Sequence, residues 1–195
     1  MPSGTGPRAR AAAATRATVL QAARTVLSDP DPASWSMETV AAAAGVTRMT
    51  VYNQFGSRAA VIEAVLDEVV SRDGMDRLVD ASQGLPPVMA LERALLTTCR
   101  FWHAERPLLR RLIAAAYVEP ALAELLARRE GWRREQLSAL LGRIDSRHGE
   151  DQGLLDLLVT ATSFPSYDRL STGRGSPDAV AELVSRLVAA LLHAS

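Results

Sequence analysis

Apolar residues recur at every third or fourth position along most of this chain, which is the spacing of amphipathic helices. A first helix is predicted over residues 15–28, two short helices share residues 36–55, and a fourth helix covers residues 58–71. Residues 1–14 contain proline and glycine and lack periodic apolar positions. We therefore expect a disordered arm over residues 1–14 and a small helical domain over residues 15–71.

The same spacing continues along the chain and predicts a larger helical domain over residues 72–195. Its predicted helices cover residues 88–102, a short stretch from 107, then 120–147, 151–170 and 180–191. Pro165 lies inside the fourth of these helices and should kink it, because proline lacks a backbone donor. No segment sustains the alternation of apolar and polar residues that strands require. The predicted fold class is all-α, with about nine helices.

Residues 36–55 have the pattern of a helix-turn-helix. Gly45 follows the first short helix, and glycine readily adopts the positive φ that such a turn needs. Thr47 is a good N-cap for the second helix. Apolar side chains on the facing sides would pack the two helices together: Val40, Ala41, Val46, Val51 and Phe55.

That packing leaves one face of the second helix free. Helical spacing puts four side chains on this face: Arg48, Met49, Tyr52 and Asn53. An arginine, an amide, a phenol and an apolar contact suit a helix that lies in the major groove of DNA. The alternative is that Tyr52 and Met49 fill a core while Arg48 is a solvated surface charge.

The charge distribution favours DNA contact by the N-terminal end alone. All 22 basic residues are arginine, and 22 acidic residues bring the formal net charge to zero. Residues 1–58 hold six arginines against Asp29, Asp31 and Glu38, a balance of +3, and the remainder carries −3. A basic small domain on an acidic larger one is typical of DNA binding by one end. An asymmetry of three charges also arises by chance.

Composition and hydropathy narrow the class of protein further. A chain of 195 residues with 48% hydrophobic content can bury a sizeable core. Its apolar runs are too short to span a membrane, and its N-terminus lacks the apolar segment of a signal peptide. One cysteine rules out an internal disulfide framework. We expect a cytoplasmic protein.

The order of a helix, a helix-turn-helix and a capped fourth helix resembles the TetR family of bacterial transcriptional regulators. The matching residues are Ala22-Ala23, Met37-Glu38-Thr39-Val40-Ala41, Ala44-Gly45-Val46-Thr47, Thr50-Val51-Tyr52, Gln54-Phe55 and Ser57-Arg58. The family commonly has a glycine between the first two helices, where this chain has DPDPASW, and Lys-Glu where Arg58-Ala59 stand. Asn53 replaces a frequent histidine, which leaves the preferred DNA sequence open.

The resemblance implies a set of DNA contacts around the predicted second helix. These are Ser36, Thr39, Thr47, Arg48, Met49, Thr50, Tyr52, Asn53, Ser57 and Arg58. Within this set, Arg48 and Met49 would meet base edges, and Tyr52 would contact a phosphate. Arginines of the N-terminal segment would follow the DNA backbone or enter the minor groove, or form an idle tail: Arg8, Arg10 and Arg16.

The resemblance also implies a small-molecule pocket and a two-fold dimer in the larger domain. Candidate pocket residues are Trp102, His103, Tyr117, Trp132, Phe164 and Tyr167. Candidate dimer residues are Leu154, Leu157, Leu158, Ala161, Leu183, Val184, Leu187 and Leu191. The alternative for the aromatic set is plain core packing, and for the leucine set it is packing within one subunit.

These expectations combine into a dimeric repressor that binds a palindromic double-stranded DNA operator and is released by a small-molecule effector, without a cofactor, metal or membrane partner. The alternatives are the same fold controlled by a protein partner or by nothing, and an all-α binding protein or enzyme whose helix-turn-helix is incidental. Catalysis has little support in the residues. Cys99 lies on an apolar stripe, three histidines are scattered, and no phosphate-binding glycine loop follows a strand.

Overall fold

The computed structural model describes residues 6–29, 35–72 and 84–194, and these residues form eleven α-helices and no strand. The N-terminal helices are α1 (Pro7–Ser28), α2 (Met37–Ala43), α3 (Arg48–Phe55) and α4 (Arg58–Arg72). The remaining helices are α5 (Pro87–Ala104), α6 (Arg106–Ala116), α7 (Pro120–Ile144), α8 (Ser146–Glu150), α9 (Gln152–Ala161), α10 (Phe164–Leu170) and α11 (Pro177–Ala194). The all-α class with an N-terminal helix-turn-helix is confirmed. No described helix is both long and apolar enough to cross a membrane.

Helix α1 begins well before the position that its apolar stripe predicts. It starts at Pro7 rather than near Thr15, so the disordered arm predicted over residues 1–14 is wrong for residues 7–14. Proline fits the first turn of a helix, and the alanines at 11–14 have the highest helix propensity of any residue. Residues 1–5 of the predicted arm lie outside the described residues.

Helices α1 to α4 pack around one apolar core. Its fully buried side chains come from all four helices: Val19, Ala23 and Leu27; Val40 and Ala41; Val51; Val61, Ile62, Val65 and Val69. Val46 and Phe55 are partly buried against the same cluster. The packing predicted for the helix-turn-helix is therefore confirmed.

The core of the N-terminal domain continues into the larger domain. Side chains from α6 and α7 belong to the same buried cluster, among them Leu108, Leu112 and Leu122. A second cluster lies between α5, α7, α9, α10 and α11. Helix α5 packs along α11, and α8 packs back on α7. Gly149 allows that last approach, because a Cβ there would come within 2.9 Å of Gly142 Cα.

The kinked helix predicted over residues 151–170 is two helices. Helix α9 ends at Ala161, and α10 begins at Phe164 after Ser163, whose hydroxyl accepts a hydrogen bond from the backbone of Ser166. Pro165 lies in the first turn of α10, where its missing N–H removes no helical hydrogen bond. The proline therefore stands at the start of a helix rather than at a kink within one.

Candidate nucleic-acid interface and effector cavity

Hydroxyl side chains fix the ends of the helices that form the helix-turn-helix. Ser36 and Thr39 make a capping box at the start of α2, with Ser36 Oγ accepting from Thr39 N at 3.0 Å and Thr39 Oγ1 accepting from Ser36 N at 2.8 Å. Thr47 Oγ1 accepts from Thr50 N at 3.1 Å and so caps α3. Ser57 Oγ accepts from Ala60 N at 3.1 Å at the start of α4. Each hydroxyl thus has a structural role, and DNA contact by these residues remains a prediction.

The turn between α2 and α3 depends on Gly45. This residue has a φ of 66°, and Val46 N donates to Ala41 O at 3.0 Å across the turn. Glycine adopts this left-handed conformation without a Cβ clash. The turn sets the angle at which α3 leaves the domain and therefore which of its faces is exposed.

The exposed face of α3 carries the four side chains that the pattern predicts for DNA contact. Met49 is 66% exposed and Tyr52 is 37% exposed. Arg48 and Asn53 are also exposed, whereas Val51 on the opposite side is fully buried. The alternative in which Met49 and Tyr52 fill a core is inconsistent with this packing of the single chain.

Arg48 lies between Glu38 and Tyr52. Its Nη1 is 2.6 Å from Glu38 Oε1, and its Nη2 donates to the Tyr52 hydroxyl at 3.4 Å. Its guanidinium carbon is 5.2 Å from the centre of the Tyr52 ring. The hydrogen bond to Tyr52 and then the charge of Glu38 raise the pKa of Arg48, so this side chain stays cationic. Both charged groups are exposed, so a phosphate or a base edge can compete with Glu38 for the guanidinium.

Two arginines that the sequence assigned to DNA have other contacts. Arg58 Nη2 is 3.0 Å from Glu119 Oε1, and its guanidinium lies over the Trp35 ring at 5.3 Å. Arg16 donates to Gln54 O at 3.2 Å and lies over the Phe55 ring at 4.2 Å. Arg58 thus links the two domains, and Arg16 holds α1 against the end of α3. Both residues are exposed, so their contact with DNA stays a prediction.

A cavity of about 930 Å³ lies between the N-terminal domain and the larger domain. We call it the effector cavity, after the ligand site that is expected in the larger domain. Its described lining comes from α4, α5, α6, α7 and the start of α10: Glu63, Leu66, Asp67, Val70, Ser71, Phe101, Trp102, Leu109, Ile113, Leu125, Leu126, Arg128, Arg129, Glu130, Trp132, Arg133, Ser163, Phe164 and Pro165. Its size is within the range of drug-sized ligand sites.

The structure divides the six predicted pocket residues into two groups. Trp102, Trp132 and Phe164 line the effector cavity. His103 Nδ1 and the Tyr167 hydroxyl are 3.1 Å apart, and neither residue belongs to the described lining. Tyr117 is 87% exposed at the end of α6. The last three assignments are therefore wrong for this cavity, because helical spacing alone does not say which side of a helix faces the space.

The predicted dimer residues divide in the same way. Leu154, Leu158 and Val184 are buried inside the subunit, so the structure corrects their assignment to an interface. Leu157 and Leu187 are about half exposed, at 54% and 47%. The other three residues are partly buried: Ala161, Leu183 and Leu191. An apolar face thus remains on α9 and α11.

Buried charge at the domain junction is a feature that the sequence analysis missed. The Glu105 side chain is 1% exposed and accepts from Arg24 of α1 at 2.7 and 3.3 Å and from Arg72 of α4 at 2.5 Å. Its partners lie 81 and 33 residues away in the chain, so no local pattern marks it. Through these two arginines, Glu105 links α1 and α4 to the junction between α5 and α6.

Cys99 is buried on the apolar side of α5. Burial, and secondarily the charge of Asp178, raise the pKa of the Cys99 thiol to about 11, so the thiol is protonated at neutral pH. Among the described residues, no group of three or more His, Cys, Asp or Glu side chains could hold a metal ion.

Comparison with known proteins identifies the N-terminal part. Residues 19–65 match the family model for bacterial regulatory proteins of the tetR family. The N-terminal domain is a TetR-family domain. Two uncharacterized HTH-type transcriptional regulators from Mycobacterium tuberculosis strains are each 34% identical to the chain over 82 residues. This alignment covers 42% of the chain and 41% of each relative, so it spans less than half the length of either.

Solved structures extend the TetR-like fold to nearly the whole chain. A TetR-like transcriptional regulator from Rhodococcus sp. RHA1 is 25% identical, with a TM-score of 0.68, and the match covers 94% of this chain and 98% of that one. Another transcriptional regulator from Rhodococcus sp. Rha1 is 20% identical, with a TM-score of 0.72, and the match covers 92% and 96%. At 20% identity, the similarity to this second structure shows a shared fold and nothing further.

Proposed function

We propose that this protein is a dimeric transcriptional repressor that binds a palindromic DNA operator and is released by a small-molecule effector. The observation that carries the proposal is the exposed face of α3, on which Arg48, Met49, Tyr52 and Asn53 stand beside capped helix ends. The TetR-family match over residues 19–65 covers the same elements. A chromosomal operator would place the protein in the cytoplasm.

The side chains on α3 suit the two kinds of contact at a protein–DNA interface, those to phosphates and those to bases. Contacts to phosphate hold the register, and contacts to base edges select the sequence. Arg48 can donate to guanine O6 and N7, and Asn53 can pair with an adenine edge. The N-terminus of α3 supplies backbone N–H groups beside Thr47 for a phosphate.

A dimer follows from the affinity that sequence-specific binding requires. One short helix in one groove gives few base contacts, whereas two helices related by a two-fold axis read two half-sites. The exposed leucines on α9 and α11, Leu157 and Leu187, supply an apolar surface for such an interface. We place the dimer contact on that face.

Helix α4 is the element that can connect the effector cavity to DNA. Its middle section lines the cavity through Leu66, Asp67 and Val70, and its first residue follows the loop that ends α3. A ligand that binds better when α4 is displaced would favour that position. Displacement of α4 would change the separation of the two α3 helices in a dimer and weaken binding to both half-sites.

Titration of a labelled duplex pool of random sequence tests DNA binding first. We expect the affinity to fall steeply as salt rises, because arginine contacts to phosphate release counterions. The whole-molecule fold is monitored by circular dichroism at each salt concentration. Absence of binding at low salt by folded protein would refute the proposal.

A further inference from the structure

The side of the effector cavity that the larger domain forms is lined by aromatic and apolar side chains. The rings of Phe101 and Trp102 have centroids 5.1 Å apart and planes at 51°. Trp102 and Phe164 meet edge to face, with centroids 5.8 Å apart and planes at 73°. Such a cluster offers ring faces and edges to another ring, in the offset and edge-to-face arrangements that aromatic groups prefer.

The most buried charged group of the lining is already neutralised. Arg133 has a side chain only 11% exposed, and its Nε and Nη2 donate to the Glu130 carboxylate at 2.9 and 2.6 Å. Its Nη2 also donates to Val159 O at 2.7 Å, and its Nη1 donates to Thr162 Oγ1 at 2.5 Å. Four of the five N–H groups that an arginine carries are thereby used.

The other charged groups of the described lining are paired with one another as well, and the Trp102 N–H has a partner outside the lining. Arg129 Nη2 is 2.5 Å from Asp67 Oδ1, and Arg128 Nη2 is 3.6 Å from Glu63 Oε1. Trp102 Nε1 donates to Thr162 O at 3.1 Å. The three arginines of the described lining thus face three carboxylates, and these residues together offer a ligand no excess charge.

We propose that the effector is an uncharged, mainly apolar molecule with at least one aromatic ring. The name effector rests on the proposed function, whereas the ligand class rests on the cavity alone. An anion would have to displace a carboxylate from one of these three arginines or remain without a partner in an apolar space, and a cation would have to displace an arginine from one of the three carboxylates. A neutral ring leaves every one of these pairs in place.

Two dyes with the same ring skeleton test this ligand class. N-phenyl-1-naphthylamine is neutral, and 8-anilino-1-naphthalenesulfonate adds one negative charge. Direct fluorescence titration of the full chain should give a Kd at least about tenfold lower for the neutral dye, a difference of roughly 1.4 kcal/mol. Equal or tighter binding of the sulfonate would overturn the proposal.

The position of the bound dye is tested by filling the cavity. Ile113→Trp should weaken binding of the neutral dye at least about tenfold, because the larger ring occupies the space. Val88→Trp is the matched control, since Val88 is exposed and outside the lining. Energy transfer from Trp102 and Trp132 to the dye gives a second measure of position in the unmodified protein. Unchanged binding in Ile113→Trp, or absence of energy transfer, would overturn the assignment.

Removal of the internal counter-ion tests the reason for the preference. Glu130→Gln leaves the Arg133 charge without its carboxylate. The ratio of the two Kd values should therefore shift about tenfold in favour of the sulfonate dye. An unchanged ratio would contradict the role assigned to this pair. The dye measurements contain no DNA. Failure of operator binding would therefore refute the proposed function without affecting the ligand class. A preference for the sulfonate dye would refute the ligand class without affecting the proposal of DNA binding.

Discussion

Tyr52 is the residue on which the proposed DNA face depends most. It stands in the middle of the exposed face of α3, and its ring and hydroxyl both contact the Arg48 guanidinium. The ring therefore holds the arginine in place in addition to offering its own hydroxyl to a phosphate. Glu38 forms an ion pair with Arg48, which the proposed DNA contact would replace.

Tyr52→Ala should weaken DNA binding by about 2–3 kcal/mol, or roughly a hundredfold in Kd, because it removes a contact and releases Arg48. Fluorescence anisotropy with a labelled duplex measures this effect. Tyr117→Ala is the matched control, since Tyr117 is 87% exposed and lies at the end of α6. Affinity equal to that of the unmodified protein would refute the role of Tyr52.

Glu105 is the residue with the largest expected effect on the junction between the domains. Glu105→Gln should lower the free energy of unfolding by about 2–3 kcal/mol, because two arginines lose their shared carboxylate in a buried site. Denaturant unfolding measures the change. Glu92→Gln on the exposed side of α5 should leave stability nearly unchanged. A small effect at both positions would mean that water replaces the carboxylate.

At the scale of elements, α6 is joined to α10 through one carboxylate. Asp168 accepts from Arg106 Nε at 2.5 Å and from Arg110 Nε at 2.9 and 3.0 Å. Burial alone would raise the pKa of Asp168, but hydrogen bonds from Arg110 and Arg106 outweigh it and lower the pKa below its ordinary value. The short helix α10 is thereby fixed beside the effector cavity.

Asp168→Asn should lower the free energy of unfolding by about 2 kcal/mol at pH 7. A carboxyl whose pKa is lowered by folding stabilises above its unfolded pKa and loses that contribution as the pH falls through its folded pKa. The difference between variant and unmodified protein should therefore shrink in strongly acidic solution. Asp156→Asn, which removes an exposed partner of Arg134, should cost less than about 0.5 kcal/mol. A difference that does not depend on pH would contradict this account.

The helical periodicity predicted the elements well but not their breaks. The apolar stripes of α1, α4 and α11 were sufficient to predict that these segments are helices, because their apolar spacing is regular. The break between α9 and α10 depends on Ser163, whose capping role is not distinct from that of other serines in the sequence. The start of α1 depends on alanine propensity, which an apolar pattern does not register.

At the scale of the whole molecule, the N-terminal domain and the larger domain share one apolar core. The buried cluster passes from α1 and α4 to Leu108, Leu112 and Leu122 without interruption. A movement of the helices that line the effector cavity would therefore act on the N-terminal domain through packed side chains. The exposed leucines on α9 and α11, Leu157 and Leu187, do not belong to this core.

Leu157→Glu combined with Leu187→Glu should convert the proposed dimer to a monomer. Each buried leucine contributes about 2 kcal/mol to an apolar interface, and a charge in its place is desolvated without a partner. Analytical ultracentrifugation measures the mass. Val88→Glu is the control, because Val88 is 53% exposed on α5. A variant that keeps the mass of a dimer would place the interface elsewhere.

The candidate site was predictable to the extent that it is local in the chain. Residues 36–55 contain the turn, two of the caps and the exposed face, so their pattern was enough to predict which side chains of α3 are exposed. The effector cavity joins five helices that are far apart in sequence, and aromatic composition placed only Trp102, Trp132 and Phe164 in it. The ion pairs of Glu105 with Arg24 and Arg72 cross between helices, and a single sequence carries no signal for them. The pair of Arg133 with Glu130 is local to α7, but the contacts of Arg133 with Val159 and Thr162 are not.

Selection from a pool of random duplex DNA tests the central claim most directly. Repeated rounds with the purified full chain should enrich one palindrome whose half-sites are separated by about 34–36 Å or slightly more, to match two α3 helices of a dimer. The Tyr52→Ala variant should enrich nothing under the same conditions. If folded unmodified protein leaves the pool with the sequence distribution of the input, the protein does not recognise an operator.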